Sequence, residues 1–195
     1  MKLFVVAVFS TIFQISILTS ISLAEEDIKI GSFIGKLYED GSGIFGNQED
    51  VADFKDVWSI TVAIDKITDK TIIRGERDAF NMTKEYGKIR LKTDISLGLN
   101  FSDKNSEYIC VNGHDFPDMT AFIRVDKNKP ITTNKNGCTK LTSTLDKQLR
   151  SGNKVTLRGY VWPYRGAEDQ EFELSGYAEL TDFFREKRAF MSNKR

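Results

Sequence analysis

Three sets of residues in this chain have types and spacings from which chemistry could be built. They are one histidine, His114; two cysteines, Cys110 and Cys138; and Gly41, Gly43 and Gly46, which fit G-x-G-x-x-G. A Ser-His-Asp triad would need His114 as its base. That residue lies in Asn112-Gly113-His114-Asp115, a turn-like stretch expected at the surface, and no serine sits in a nucleophile-elbow setting. Metal binding needs several ligands at matched spacing, and none appears. The chain holds 28 acidic residues, yet no spacing singles out a glycosidase-like pair. A dinucleotide fingerprint needs a strand before its glycines and a helical apolar stripe after them. Here Asn47-Gln48-Glu49-Asp50 follows, so the glycines read as a flexible loop. No catalytic residue, metal ligand or cofactor is assigned on these grounds.

The cysteines read differently. They stand 28 positions apart in a chain that carries an export signal, and an oxidising compartment makes a Cys110–Cys138 disulfide the default. Closing such a loop stabilises a fold by roughly 3–4 kcal/mol in the chain-entropy treatment.

Binding chemistry is better represented than catalysis. Along Lys154–Trp162, Val155, Leu157 and Val161 take one face of an extended chain. Arg158, Tyr160 and Trp162 take the other, with Tyr164 and Arg165 just beyond. Aromatics interleaved with arginine give large contact area with polar handles and suit a peptide, glycan or protein partner. The competing reading is internal packing, with Phe183, Phe184 and Phe190 of a terminal helix covering the strip. Arg124 and Asp126 face away from Ala121, Ile123 and Val125 on another strand. They form either a partner-binding pair or a cross-strand or turn contact.

The elements that must position these residues follow from periodicity. Trp58, Ile60, Val62 and Ile64 alternate with smaller or polar residues, as a half-buried strand does. Lys70–Arg77, Glu107–Val111 and Thr120–Asp126 are further strands. Ile89, Leu91, Ile95, Leu97, Leu99 and Phe101 share one face across two strands, with a bend near Thr93. Lys154–Trp162 and Gln170–Ala178 form a hairpin, and residues 132–138 are a polar loop. Ser143–Arg150 reads as a short helix with Leu145 and Leu149 at i, i+4 and Gly152 as its stop. Leu180–Met191 reads as a C-terminal helix capped by Thr181. The predicted fold is mainly β, an antiparallel β-sandwich of about seven to eight strands with a short helix and a C-terminal helix.

The ends and the composition place it. Lys2, the apolar run Leu3–Leu18 and the small-x-small Ser22-Leu23-Ala24 have the order of a signal peptide, with cleavage before Glu25. No cysteine near that point suits a lipoprotein anchor, and no later segment is apolar enough to span a bilayer. Residues 1–24 are thus a signal peptide, 25–56 an acidic Gly-rich segment with one strand at Ile28–Ile34, and 57–195 a single β-sandwich domain. Removing the signal leaves roughly 170 residues, the size of one domain. The 28 basic and 28 acidic residues balance. Without Lys2 one acid is in excess, so nothing speaks for nucleic acid.

The order of several short motifs carries a resemblance. They are Trp58-Ser-Ile-Thr-Val, Ile67-Thr68-Asp69, Phe122-Ile-Arg124-Val-Asp126 with Pro130, the Leu145/Leu149 helix, Val155-x-x-Arg158, Pro163-Tyr164, Phe172-x-Leu174-Ser-Gly176 and a closing helix. Over about 57–190 this resembles the VasI/TagO-type exported proteins associated with bacterial type VI secretion. A looser likeness, resting on topology, is to IalB-like invasion-associated β proteins. The resemblance implies an exported, β-rich accessory protein and supplies no catalytic residues. The expectation is a non-catalytic periplasmic or secreted protein that binds a protein or cell-wall component. The alternatives are an inhibitor of a lysozyme-like enzyme, acting through the disulfide-tethered loop 126–138, and a hydrolase.

Overall fold

The computed structural model describes residues 25–53, 56–78, 82–85, 88–91, 95–103, 105–163 and 166–193. Residues 1–24, read as a signal peptide, and Thr93 lie outside them.

In chain order the strands are β1 (Glu25–Ile30), β2 (Phe33–Tyr38), β3 (Ser42–Asn47), β4 (Trp58–Ile64), β5 (Thr71–Asp78), β6 (Met82–Glu85), β7 (Lys88–Leu91), β8 (Ser96–Asp103), β9 (Ser106–Asn112), β10 (Phe122–Val125), β11 (Ile131–Thr132), β12 (Cys138–Lys140), β13 (Lys154–Tyr160) and β14 (Ala167–Glu173). The helices are α1 (Gln48–Asp53), α2 (Ser143–Ser151) and α3 (Tyr177–Asn193). One antiparallel sheet of eight strands runs β1-β2-β3-β4-β5-β8-β9-β12, a second of four runs β11-β10-β13-β14, and β6 and β7 form a separate hairpin. The mainly β, antiparallel architecture with a short and a C-terminal helix is the predicted one.

The core is the period-two pattern made physical. Trp58, Ile60, Ile73, Leu97, Leu99, Phe101, Ile109 and Val111 point inward from the larger sheet. Ile123, Val125, Val155 and Leu157 do so from the smaller one, and both sets belong to a single apolar cluster. Burying a side chain of this kind contributes about 1.5–3 kcal/mol. Ile89 and Leu91, read as sharing the face of Ile95–Phe101, belong instead to β7 of the separate hairpin.

Residues 25–56 differ most from expectation. They hold three paired strands and a short helix in place of one strand and a flexible loop. Gly31 (φ 61°) begins the two-residue turn between the paired Ile30 and Phe33, a position that favours glycine. Gly43 lies inside β3, where a β-carbon would stand 2.2 Å from the Lys36 carbonyl oxygen. Asn47 caps α1, its side-chain oxygen accepting from the Asp50 N–H at 2.9 Å.

Both predicted helices form. Thr142 caps α2 by accepting from the Leu145 N–H at 3.2 Å, and Leu145 and Leu149 are buried. The second helix starts earlier than predicted: Gly176 (φ 77°) precedes it, and Thr181 is an interior, fully buried residue rather than its cap. Phe184 packs over Gly75 of β5 and lies 5.6 Å, ring to ring, from Phe101 of β8. A partly buried ionic web fastens the helices to β9. Glu107 accepts from Arg185 at 2.6 Å and Arg188 at 2.9 Å. Asp146 accepts from Arg150, Arg185 and the Tyr177 hydroxyl at 3.0–3.1 Å. Burial and the adjacent Asp146 carboxylate push the Tyr177 phenol up.

Cys110 and Cys138 are joined in a disulfide and face one another as direct register partners on β9 and β12. Residues 132–138, read as a loop, therefore end in a short paired strand. Among the described residues no helix is long and apolar enough to cross a membrane.

Candidate functional site

β13 alternates strictly. Val155, Leu157 and Gly159 face the core, while Lys154, Thr156, Arg158 and Tyr160 face out. The next residues turn away, leaving Trp162 59% exposed. Phe184 is buried against the larger sheet with Phe183 beside it, and Arg158 and Trp162 are exposed, so these two residues are not covered as the packing alternative expects.

Arg158 meets its register partner Asp169 on β14 in a forked ion pair, Nε to Oδ1 at 2.6 Å and Nη2 to Oδ2 at 2.7 Å. The Arg158 hydrogen bonds hold the Asp169 carboxyl below the usual carboxylate range, against a smaller effect of burial. Both side chains are about half exposed, so the pair adds little stability; its effect is to fix the guanidinium in one orientation. Across β13 on the other side, Phe122 stands opposite Arg158 and Arg124 opposite Thr156. With Pro130, Asp169 and Glu171 these residues line a cleft of about 420 Å³. Glu171 accepts from the Lys154 ammonium at 2.8 Å, which lowers its pKa.

Arg124 donates through Nε to the Asn128 carbonyl at 3.1 Å. It makes no ion pair with Asp126, which occupies a different place. Asp126 sits at φ 47° past the end of β10, and its carboxylate accepts from the main-chain N–H groups of Asn153 at 3.2 Å and Lys154 at 3.1 Å. Of the two expected uses of this residue, the geometry matches the turn contact. Tyr164 and Arg165 lie outside the described residues.

At the far end of β13 the strip is braced from below. Trp162 donates its main-chain N–H to Asp115 at 2.7 Å, and its ring lies 5.5 Å from Phe116. His114 is not the surface turn residue expected. It is 6% exposed, its Nδ1 accepts the Tyr160 N–H at 3.1 Å, and its Nε2 lies 3.2 Å from the Met119 carbonyl. An imidazole protonated at Nε2 satisfies both contacts. Both nitrogens are thus spent on main chain, which leaves the only histidine unsuited to act as a general base. Among the described residues no three His, Cys, Asp or Glu side chains cluster as a metal site would require.

The structure brings Arg124 and Arg158 to one cleft; Tyr160 and Trp162 are not among its lining residues and pack instead by His114 and Phe116. Sequence reading missed Phe116, Asp115, Phe122 and Asp169. Phe122 carried a signal, since it alternates with Ile123 and so had to face outward with Arg124; the others depend on register and loop path. Compared with models of protein families, with curated proteins and with solved structures, the chain matches none.

Proposed function

We propose that this is a non-catalytic, exported binding or accessory protein of the bacterial envelope that docks a protein or cell-wall component on the outer face of β10, β13 and β14. The observation that carries the reading is the outward aromatic and cationic strip. Trp162 is exposed and backed by Phe116, Arg158 is held in orientation by Asp169, and Arg158 lines a cleft with Phe122 and Arg124. Oriented guanidinium and exposed tryptophan are the residue types that dominate binding energy at interfaces. The signal-like N-terminus and the disulfide support export. The resemblance to VasI/TagO-type proteins supports a place beside a secretion system.

The test is site-specific photo-crosslinking from position 162 in intact cells, with competition by purified protein. A discrete product that Arg158→Ala diminishes supports the reading. Products no different from those of a probe placed at the exposed Ile67 would sink it.

A second reading, an inhibitor of a lysozyme-like enzyme, draws on the bracing of residues 134–138. Asn134 Oδ1 accepts from the N–H groups of Asn136 at 2.9 Å and Cys138 at 3.0 Å, and the disulfide fixes the end of the segment. Such a rigid loop suits a plug. Undiminished lysozyme turnover at stoichiometric protein rules it out.

A further inference from the structure

The outer face of the eight-stranded sheet carries a second concavity, of about 390 Å³. On β5, Ile73, Gly75 and Arg77 point inward and are buried, so Arg74 and Glu76 point outward on one line. Register places Thr61 and Asn100 on either side of Arg74, and Ser59 and Gly98 on either side of Glu76.

The two charges are held differently. Glu76 is fixed: its Oε1 accepts from the Ser96 hydroxyl and from Asn112 Nδ2 at 3.0 Å. Asn112 reaches it by lying flat across β8. A β-carbon on Gly98 would stand 2.6 Å from Asn112 Oδ1, so only glycine leaves room for that path. Arg74 is exposed and has no hydrogen-bond or ion-pair partner among the described residues. The pair is spaced by two strand residues, about 6.8 Å along the chain, and makes no ion pair with itself.

A cation and a pre-oriented anion, fixed in a line with amide and hydroxyl groups around them, complement a ligand with the opposite pattern. We infer that this cleft binds a short peptide by its charged ends, the carboxylate on Arg74 and the ammonium on Glu76, with Asn100, Thr61 and Ser59 placed for its amides. Charge-assisted hydrogen bonds of this kind are the strong ones, and a ligand lacking either end forfeits one of them. The cleft lies on the other sheet from Arg158 and Trp162, so a failed titration here leaves the docking proposal standing, and the reverse also holds.

The probes are di- and trialanine, L and D, titrated calorimetrically into protein produced from the full-length chain. Each is used with free ends, N-acetylated, and C-amidated. Free-ended peptide is expected to bind, and either block to weaken it about tenfold. Arg74→Met should bind weakly and no longer distinguish acid from amide. Glu76→Gln should no longer distinguish amine from N-acetyl. Both positions are exposed, so unchanged thermal unfolding of the variants verifies the fold. No heat from any free-ended peptide, equal binding of blocked and free forms, or variants that discriminate like the parent would each overturn the inference. So would binding of uronic-acid oligosaccharides in place of the peptides, which would mark an acidic saccharide site.

Discussion

Gly159 of β13 lies so close to Ile95, just ahead of β8, that a β-carbon there would stand 2.2 Å from Ile95 Cδ1 and 3.3 Å from Val111 Cγ1. This contact is a point of close approach between the two sheets. It lies one residue from Arg158, so the spacing of the sheets and the placement of the outward strip are coupled.

Gly159→Ala is therefore expected to destabilise. Overpacking of a filled core costs about 1–3 kcal/mol, and the lower entropy of the unfolded alanine chain returns about 0.4–1 kcal/mol of it. Ile95→Val removes the clashing Cδ1. The penalty for Gly159→Ala should shrink in the Ile95→Val background, giving a coupling of opposite sign to the single costs in urea unfolding. Strict additivity would show that the sheets separate rather than repack.

His114 makes a second prediction. Its ring links the Tyr160 main chain to the Met119 carbonyl beneath a loop that carries Asp115 and Phe116 to Trp162. In His114→Phe, of similar shape, a partly buried N–H and a partly buried carbonyl lose their partners, at about 1–3 kcal/mol. The loop should also loosen, which red-shifts Trp162 emission. Trp58, the other tryptophan, is buried and remote from this loop in sequence, so Trp58→Phe isolates the signal. Emission unchanged in that background would mean that the loop stands without its histidine.

What the sequence disclosed follows from where the forces are local. β4 was readable because Trp58, Ile60 and Val62 bury one side and leave the other to water. α2 was readable because its two leucines and the Gly152 stop lie within eight residues of one another. β2 and β3 were not. Gly35 and Gly43 lower strand propensity, and the need for them comes from neighbouring backbone: their β-carbons would stand 2.7 Å from Ile44 O and 2.2 Å from Lys36 O. The outward strip divides the same way. Alternation alone turned Arg158 and Tyr160 outward, whereas Asp169 joins Arg158 only through a register that no local pattern encodes. Arg74 and Glu76 also alternate visibly, but Ser96 and Asn112 reach Glu76 from two other strands.

Acid should weaken the attachment of α3. Burial alone would raise the pKa of Glu107, but hydrogen bonds and charge from Arg185 and Arg188 outweigh it and hold the carboxyl below its ordinary value of 4.5. The folded pKa is the lower one, so this stabilisation is complete above 4.5 and is lost as pH falls through the folded value. Glu107→Gln removes the charge at every pH and should cost about 1–3 kcal/mol near neutrality. Its urea midpoint should then fall less steeply than that of the parent between neutrality and pH 3. Parallel pH profiles would place the acid sensitivity elsewhere.

The Cys110–Cys138 disulfide gives the last expectation. It ties β12, the final strand of the larger sheet, to β9, and β12 leads through Leu141 and the Thr142 cap into α2. Without the bond, β12 is held by a short ladder of three register pairs and by the flanking main-chain bonds from Val111 to Gly137 and from Leu141 to Glu107. Paired replacement, Cys110→Ser with Cys138→Ser, should lower global stability by about 2–5 kcal/mol. The loss should be uneven. Amide exchange is expected to accelerate first in residues 134–142, while β4 and β5 keep the protection set by global unfolding. Uniform acceleration across the sheet would mean that β12 opens only when the whole domain does, and that the bond acts on the unfolded chain alone.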